Sequence, residues 1–136
     1  MFKAMQPFVE SQVTQNIEVI AMAAYLPQQS SPAHQNYIFA YKIKIINHGE
    51  RTVQLLRRKW IITDGLGRIR EVEGEGVIGQ QPILHPGQSH EYVSGTDMPT
   101  AIGNMKGYYL MRYLHTNEIF KVSIPAFTLC IPEYLN

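Results

Sequence analysis

Apolar and polar residues alternate with a period of two along much of this chain, the pattern of strands that bury one face. The clearest run is Tyr37 to Ile45, where Tyr37, Phe39, Tyr41, Ile43 and Ile45 share one face while Lys42 and Lys44 share the other. Phe120, Val122 and Ile124 alternate in the same way with Lys121 and Ser123. Between Val53 and Thr63 the pattern predicts a strand with two parities. Leu56, Trp60 and Ile62 fall with Arg58, whereas Leu55 and Ile61 fall with Arg57 and Lys59. Phe39, Tyr41, Trp60 and Ile62 are the predicted core.

The remaining chain divides around these strands. Residues 1–12 read as a flexible arm, because apolar positions there lack a period and Pro7 interrupts them. Val13 to Leu26 fits either strand or helix; Pro27 ends the run, and strand is the consistent choice. Gln28 to Gln35 is a turn-rich loop. Asn47-His48-Gly49 and Asp64-Gly65 mark turns, the second a tight hairpin. Arg68 to Glu73 alternates charged and apolar residues, as an edge strand does. Thr96 to Gly107 reads as a long loop. Tyr108–Leu114 and Ile119–Ile131 then form a hairpin, with Pro125 interrupting the ladder or sitting on an edge. The sum is seven to eight mainly antiparallel strands in one domain over 13–136, an all-β sandwich or barrel.

Composition narrows the function classes. The chain has 136 residues, 45% hydrophobic and 17% charged, which predicts a packed domain rather than disorder. A formal net charge of +1 gives no electrostatic case for nucleic acid. No apolar run reaches the ~18 residues of a membrane span, and the N-terminus has no signal-peptide core. A cytoplasmic protein fits. Cys130 is alone and reads as a buried, inert thiol.

Candidate chemistry concentrates between Arg57 and Gly95. Gly74, Gly76 and Gly79 match G-x-G-x-x-G in letters. The dinucleotide chemistry of that motif needs a helix N-terminus after it, and here Gln80-Gln81-Pro82 follow. The glycines instead predict backbone that bulges or takes positive φ between two strands. Glycine-rich backbone also forms N–H nests for anions without a helix. Gly74, Gly76 and Gly79 with Arg58 and Arg68 (Arg70 lies near in sequence) are therefore the candidate anion site. His34, His48, His85, His90 and His115 show no metal-ligand spacing, although His85 and His90 flank the Pro86-Gly87 turn and could face each other. Glu71, Glu73 and Glu75 share one strand face, the arrangement of a solvated surface and a weak candidate for a hard cation. Gly87-Gln88-Ser89-His90-Glu91 lacks the final glycine of a nucleophile elbow. No catalytic residue, cofactor or metal site is expected.

Longer matches then point to a family. VQLLRRKWIITDG at 53–65, EVEGEGVIGQQP at 71–82, LHPGQ at 84–88 and YVSGT at 92–96 resemble the bacterial ApaG family, also called CorD. YIFAYKIKIINHG at 37–49, GNMKGYYLM at 103–111 and IPAFTL at 124–129 extend the likeness over residues 13–132 in matching order. Gln88 departs from it, since the family often carries Glu there. The resemblance implies a fibronectin-III-like, immunoglobulin-type β-sandwich. It implies an association with cobalt resistance and magnesium efflux through a protein partner, without catalytic residues to carry over. Related domains in eukaryotic F-box proteins and in a polymerase-interacting protein look like interaction modules. Bacterial members are often encoded near a diadenosine tetraphosphate hydrolase. The family's glycine motif makes pyrophosphate or another phosphate-containing small molecule the alternative ligand.

Overall fold

The computed structural model describes residues 9–134. Nine strands follow one another: β1 (Glu10–Thr14), β2 (Ile17–Tyr25), β3 (Tyr37–Asn47), β4 (Val53–Asp64), β5 (Ile69–Glu75), β6 (Ile83–Leu84), β7 (Ser89–Met98), β8 (Ile102–Tyr113) and β9 (Ile119–Cys130). One sheet has the order β1-β2-β3-β7. The other has the order β5-β4-β8-β9, with the short β6 also paired to β4. Every pairing is antiparallel. The two sheets form a sandwich, one of the two architectures that alternation and turn spacing predict, and it is of the fibronectin-III-like kind that the family resemblance implies.

The predicted core is met. Phe39 is 0% exposed, Trp60 2%, Ile62 5% and Tyr41 6%. Tyr41, Trp60 and Phe127 form an aromatic cluster between the sheets, with ring centroids 5.2–6.1 Å apart and tilted or edge-on faces, the geometry that aromatic quadrupoles favour. Phe120, Val122 and Ile124 are buried together as their alternation requires. β9 lies on a sheet edge, and its register shifts between Phe127 and Ile124, so Pro125 falls where no ladder bond is needed.

Several expectations change. Residues 1–8 of the expected arm lie outside the described residues, but Glu10, Ser11 and Gln12 belong to β1. The run read as one strand from Val13 to Leu26 is a hairpin, because Gln15 and Asn16 both take positive φ (48° and 66°) and reverse the chain. Asp64-Gly65 begins a longer turn than expected. Its carboxylate accepts the N–H groups of Leu66 (2.8 Å) and Arg68 (3.1 Å), and Gly67 takes the left-handed position at φ 82°. The long loop expected over 96–107 is mostly strand, since β7 runs to Met98 and β8 starts at Ile102. Gly103 and Gly107, both within the expected loop, sit within β8. At Gly107 a Cβ would overlap the carbonyl oxygen of Lys59, at the point where the register with β9 shifts. Cys130 is half-buried rather than buried, with burial pushing its thiol pKa up.

The most consequential change is in β4. Its register with β8 passes from Leu55↔Met111 to Arg57↔Leu110, so Leu56 is a bulge. Val53 and Leu55 are buried before it, and Trp60 and Ile62 after it. The two parities seen in the sequence are one inner face interrupted by an extra residue. Asn47, the buried polar residue at the end of β3, ties this end of the sandwich together. Its amide donates to the carbonyls of Arg51 (2.8 Å) and Leu84 (3.0 Å) and accepts from the N–H of Gly49 (2.9 Å).

Candidate functional site

The glycine stretch is built around the bulge. β5 pairs with β4 from Arg57 to Thr63, and β6 pairs with it at Val53 and Gln54. Leu56 lies in the gap between them. Its carbonyl accepts the N–H of Gly76 (2.8 Å) and the side-chain amide of Gln81 (3.0 Å). Val77 and Gln80 then exchange both backbone bonds (2.8 and 3.0 Å) around Ile78 and Gly79, whose φ values are 47° and 71°. Positive φ at both central positions is the combination of a type I′ turn. At Gly76, φ is 61° and a Cβ would overlap the Gln80 carbonyl oxygen. The backbone N–H groups of Gly76, Val77 and Gln80 are thus all spent within the protein.

Arg58 belongs to this assembly, and Arg68 does not. The Arg58 guanidinium covers Gly74, where a Cβ would stand 2.7 Å from Nη1. Nη1 donates to the carbonyls of Glu75 (3.0 Å) and Gly76 (2.9 Å). Arg68 sits at the far end of β5, where its Nε donates to Asp64 at 2.7 Å. Burial raises the Asp64 pKa, but the N–H groups of Arg68 and Leu66 and the Arg68 charge outweigh it and hold the carboxyl below its usual value. Of the predicted anion set, then, the structure brings together Gly74, Gly76, Gly79 and Arg58.

The other candidate groups are dispersed. Glu71 and Glu73 both bind Lys59, at 2.8 and 3.0 Å, and Glu75 lies 3.9 Å from Arg57. These bonds raise the Lys59 pKa and make the glutamate face a solvated ion-pair ladder. His85 contacts Thr52 (3.0 Å), while His90 packs near the ring of Tyr92. His48 pairs with Glu18 at 2.8 Å. Among the described residues no three His, Cys, Asp or Glu side chains gather as a metal site would need.

The sequence did not reveal a concavity between the two sheet edges. β5 ends one sheet and β7 ends the other, and a groove runs between these two edges. Its widest part has a volume of about 340 Å³ and is lined by Arg58, Trp60, Glu75, Tyr41, Tyr92 and Ser94, with Ile78 and Gly79 at its lip. It continues over Val72, Gly95 and Thr96 to an apolar end at Ile69, Met98 and Pro99. Arg70 crosses it, donating to the Asp97 carbonyl (2.9 Å), the Thr96 hydroxyl (3.0 Å) and the Asp97 carboxylate (3.3 Å). Trp60 and Tyr41 floor both wider parts.

This site is rich in hydroxyl donors. Tyr92 and Tyr109 share a short hydroxyl–hydroxyl bond. Burial raises the pKa of both, and that of Tyr41, so all three stay protonated at neutral pH. The Arg58 charge acts on all three in the opposite direction. The indole N–H of Trp60 is buried without an acceptor, although buried polar groups are ordinarily bonded. The arrangement can hold an acceptor-rich group; among the described residues it assembles no metal cluster.

Comparison with known proteins places these features. The ApaG domain family model matches residues 27–113. The chain is 50% identical over 123 residues to the protein ApaG of Paramagnetospirillum magneticum, covering 90% of this chain and 94% of that one. It is 48% identical over 120 residues to the protein ApaG of Dechloromonas aromatica, covering 88% and 94%. The crystal structure of the ApaA protein from Bordetella pertussis superposes with a TM-score of 0.82 at 42% identity, over 93% of this chain and 98% of that one.

Proposed function

The chain belongs to the ApaG family, and from that premise we propose that it is a non-enzymatic binding module of the cytoplasm that serves cobalt and magnesium homeostasis through a protein partner. The observation that carries this reading is the groove between β5 and β7. It offers two strand edges, an exposed apolar rim of Ile69, Val72 and Ile78, and Arg58 at its wide end, over a floor of core residues Trp60 and Tyr41. Arginine is among the side chains enriched at the centres of protein interfaces. No helix among the described residues is long and apolar enough to cross a membrane. The expected result is that bacterial cells lacking this chain change their cobalt tolerance and regain it when the chain is supplied. Unchanged tolerance, or steady hydrolysis of dinucleoside polyphosphates abolished by one point substitution, overturns the reading.

The second reading is a small-anion protein that holds pyrophosphate or a nucleotide phosphate at Gly74, Gly76 and Gly79. Its support is the Arg58 guanidinium lying directly against Gly74. Inorganic pyrophosphate raising the melting temperature by mass action would favour it.

A further inference from the structure

We propose that the groove between β5 and β7 holds an extended segment of a partner protein, with a carboxylate of that segment on Arg58 and an aliphatic side chain at the Ile69–Met98–Pro99 end. This rests on the binding-module reading and gives it a surface.

Charge is the first argument. Among the described residues ion pairs occupy Lys42, His48, Arg57, Lys59, Arg68 and Arg70, and none of these pairs involves Arg58. Its Nη1 is anchored by two carbonyls, which fixes the plane of the guanidinium at the cleft wall. Around it stand the hydroxyls of Tyr41, Tyr92 and Ser94. A fixed guanidinium fork with neighbouring hydroxyl donors suits a planar carboxylate. Glu75 lines the same cleft, but its carboxylate lies 3.9 Å from Arg57, so Arg58 supplies the unpaired charge in this part of the groove.

Length is the second argument. β5 has seven residues, and at ~3.3 Å per residue its edge runs about 20 Å. The three parts of the groove share residues, with Trp60 and Val72 joining the first pair and Ile62 and Arg70 the second. A trough of that length fits about six extended residues, which pass over or displace the Arg70 side chain that crosses it, and it exceeds a small metabolite. Among the described strands β5 pairs only with β4, and β7 only with β3, so each leaves one edge for a visiting strand apart from the Asp97 carbonyl, which Arg70 already holds. Exposed Ile69 (65%), Val72 (37%) and Ile78 (59%) form an apolar rim along it.

The experiment selects random hexapeptides on the whole protein, then titrates an enriched peptide against the fluorescence of Trp60, the single tryptophan. Enrichment of Asp or Glu toward one end and Leu, Ile or Val toward the other is expected. Replacing the peptide's acid by its amide should weaken binding at least ten-fold, and Arg58→Gln should bind acid and amide alike. Tyr41→Phe, which keeps the ring, should weaken the acidic peptide several-fold without lowering the melting temperature. That second variant decides the matter if Arg58→Gln does not fold. No enrichment, or acid and amide peptides bound equally by the parent, overturns the proposal. Glutarate or inorganic pyrophosphate binding as tightly as the peptide also overturns it, reassigning the cleft to a small anion. A partner captured equally by parent and Arg58→Gln protein removes the groove but leaves the binding-module reading; unchanged cobalt tolerance removes that reading instead.

Discussion

The guanidinium of Arg58 occupies the space that a side chain at Gly74 would fill. A Cβ at position 74 would stand 2.7–2.9 Å from three guanidinium atoms of Arg58. The glycine is there for its neighbour's side chain and not for its own backbone angle. The prediction is a coupled pair. Gly74→Ala should cost about 1–2 kcal/mol by displacing Arg58 from the carbonyls of Glu75 and Gly76. In an Arg58→Ala background the same change should be nearly neutral. Denaturant unfolding of the four proteins in the double-mutant cycle measures this, and additive effects would refute the relationship.

Gly76 and Gly79 should behave differently from each other. At Gly76 both the positive φ and the Gln80 carbonyl oppose a side chain, whereas at Gly79 φ is positive but the space is open. Gly79→Ala should cost about 1–2 kcal/mol, the left-handed penalty alone. Gly76→Ala should cost about 3 kcal/mol or more. Melting curves of the two variants test the order. Equal costs would show that the Gln80 carbonyl does not crowd position 76.

Trp60 tests the core. Trp60→Ala should cost about 3–5 kcal/mol, the range for removing a buried aromatic. Trp60→Phe should cost roughly 1–2 kcal/mol, because the lost indole N–H has no acceptor and only volume disappears. A phenylalanine variant as damaged as the alanine variant would reveal a hydrogen bond on the indole.

Acid should weaken the fold in two stages. Burial lowers the His90 pKa below 6.5, so the unfolded chain takes up that proton first and stability falls as pH drops below about 6.5. Glu18 is held below 4.5, first by the Ser11 hydroxyl and then by His48, and Asp64 is held below 3.8. Their contribution is full above those values and disappears as pH falls through the lower folded-state values. Urea midpoints measured from pH 8 to pH 3 should show both stages, and His90→Asn should erase the first alone.

Alkali acts through the tyrosines. The pKa values of Tyr41, Tyr92 and Tyr109 are raised by burial. Stability tied to them is complete below about pH 10 and is lost as pH rises above it, because the unfolded chain ionises first. Ultraviolet titration should show these three ionising only together with unfolding. Smooth ionisation of all eight tyrosines near pH 10 in folded protein would contradict the buried hydroxyl pair.

How far the sequence could be read follows from what alternation reports. It fixes which face of a strand is buried, so Phe39, Tyr41, Trp60 and Ile62 were legible. It also shows that three glycines in six residues need unusual backbone, and Gly76 and Gly79 have it. It does not report which strands lie edge to edge across two sheets. The groove joins residues 58–79 to residues 92–99 through such an arrangement. Even the odd parity of Leu55 and Leu56 was visible as a conflict; the carbonyl that resolves it is taken by a residue twenty positions further on. The β1–β2 turn was hidden because Gln-Asn carries positive φ without the glycine that usually announces it.

Arg70 sets a mechanical asymmetry. On one long side the sandwich is bound like the spine of a book: the Thr14 hydroxyl, at the end of β1, accepts the N–H of Ser123 in β9 (3.2 Å). On the other side the covers are joined across the groove by the Arg70 clasp on Thr96 and Asp97. A clasp made of solvent-exposed polar bonds is weak and salt-sensitive, while a spine backed by the core is stiff. The fore-edge is therefore expected to open at a lower free energy than the spine, and more readily as ionic strength rises.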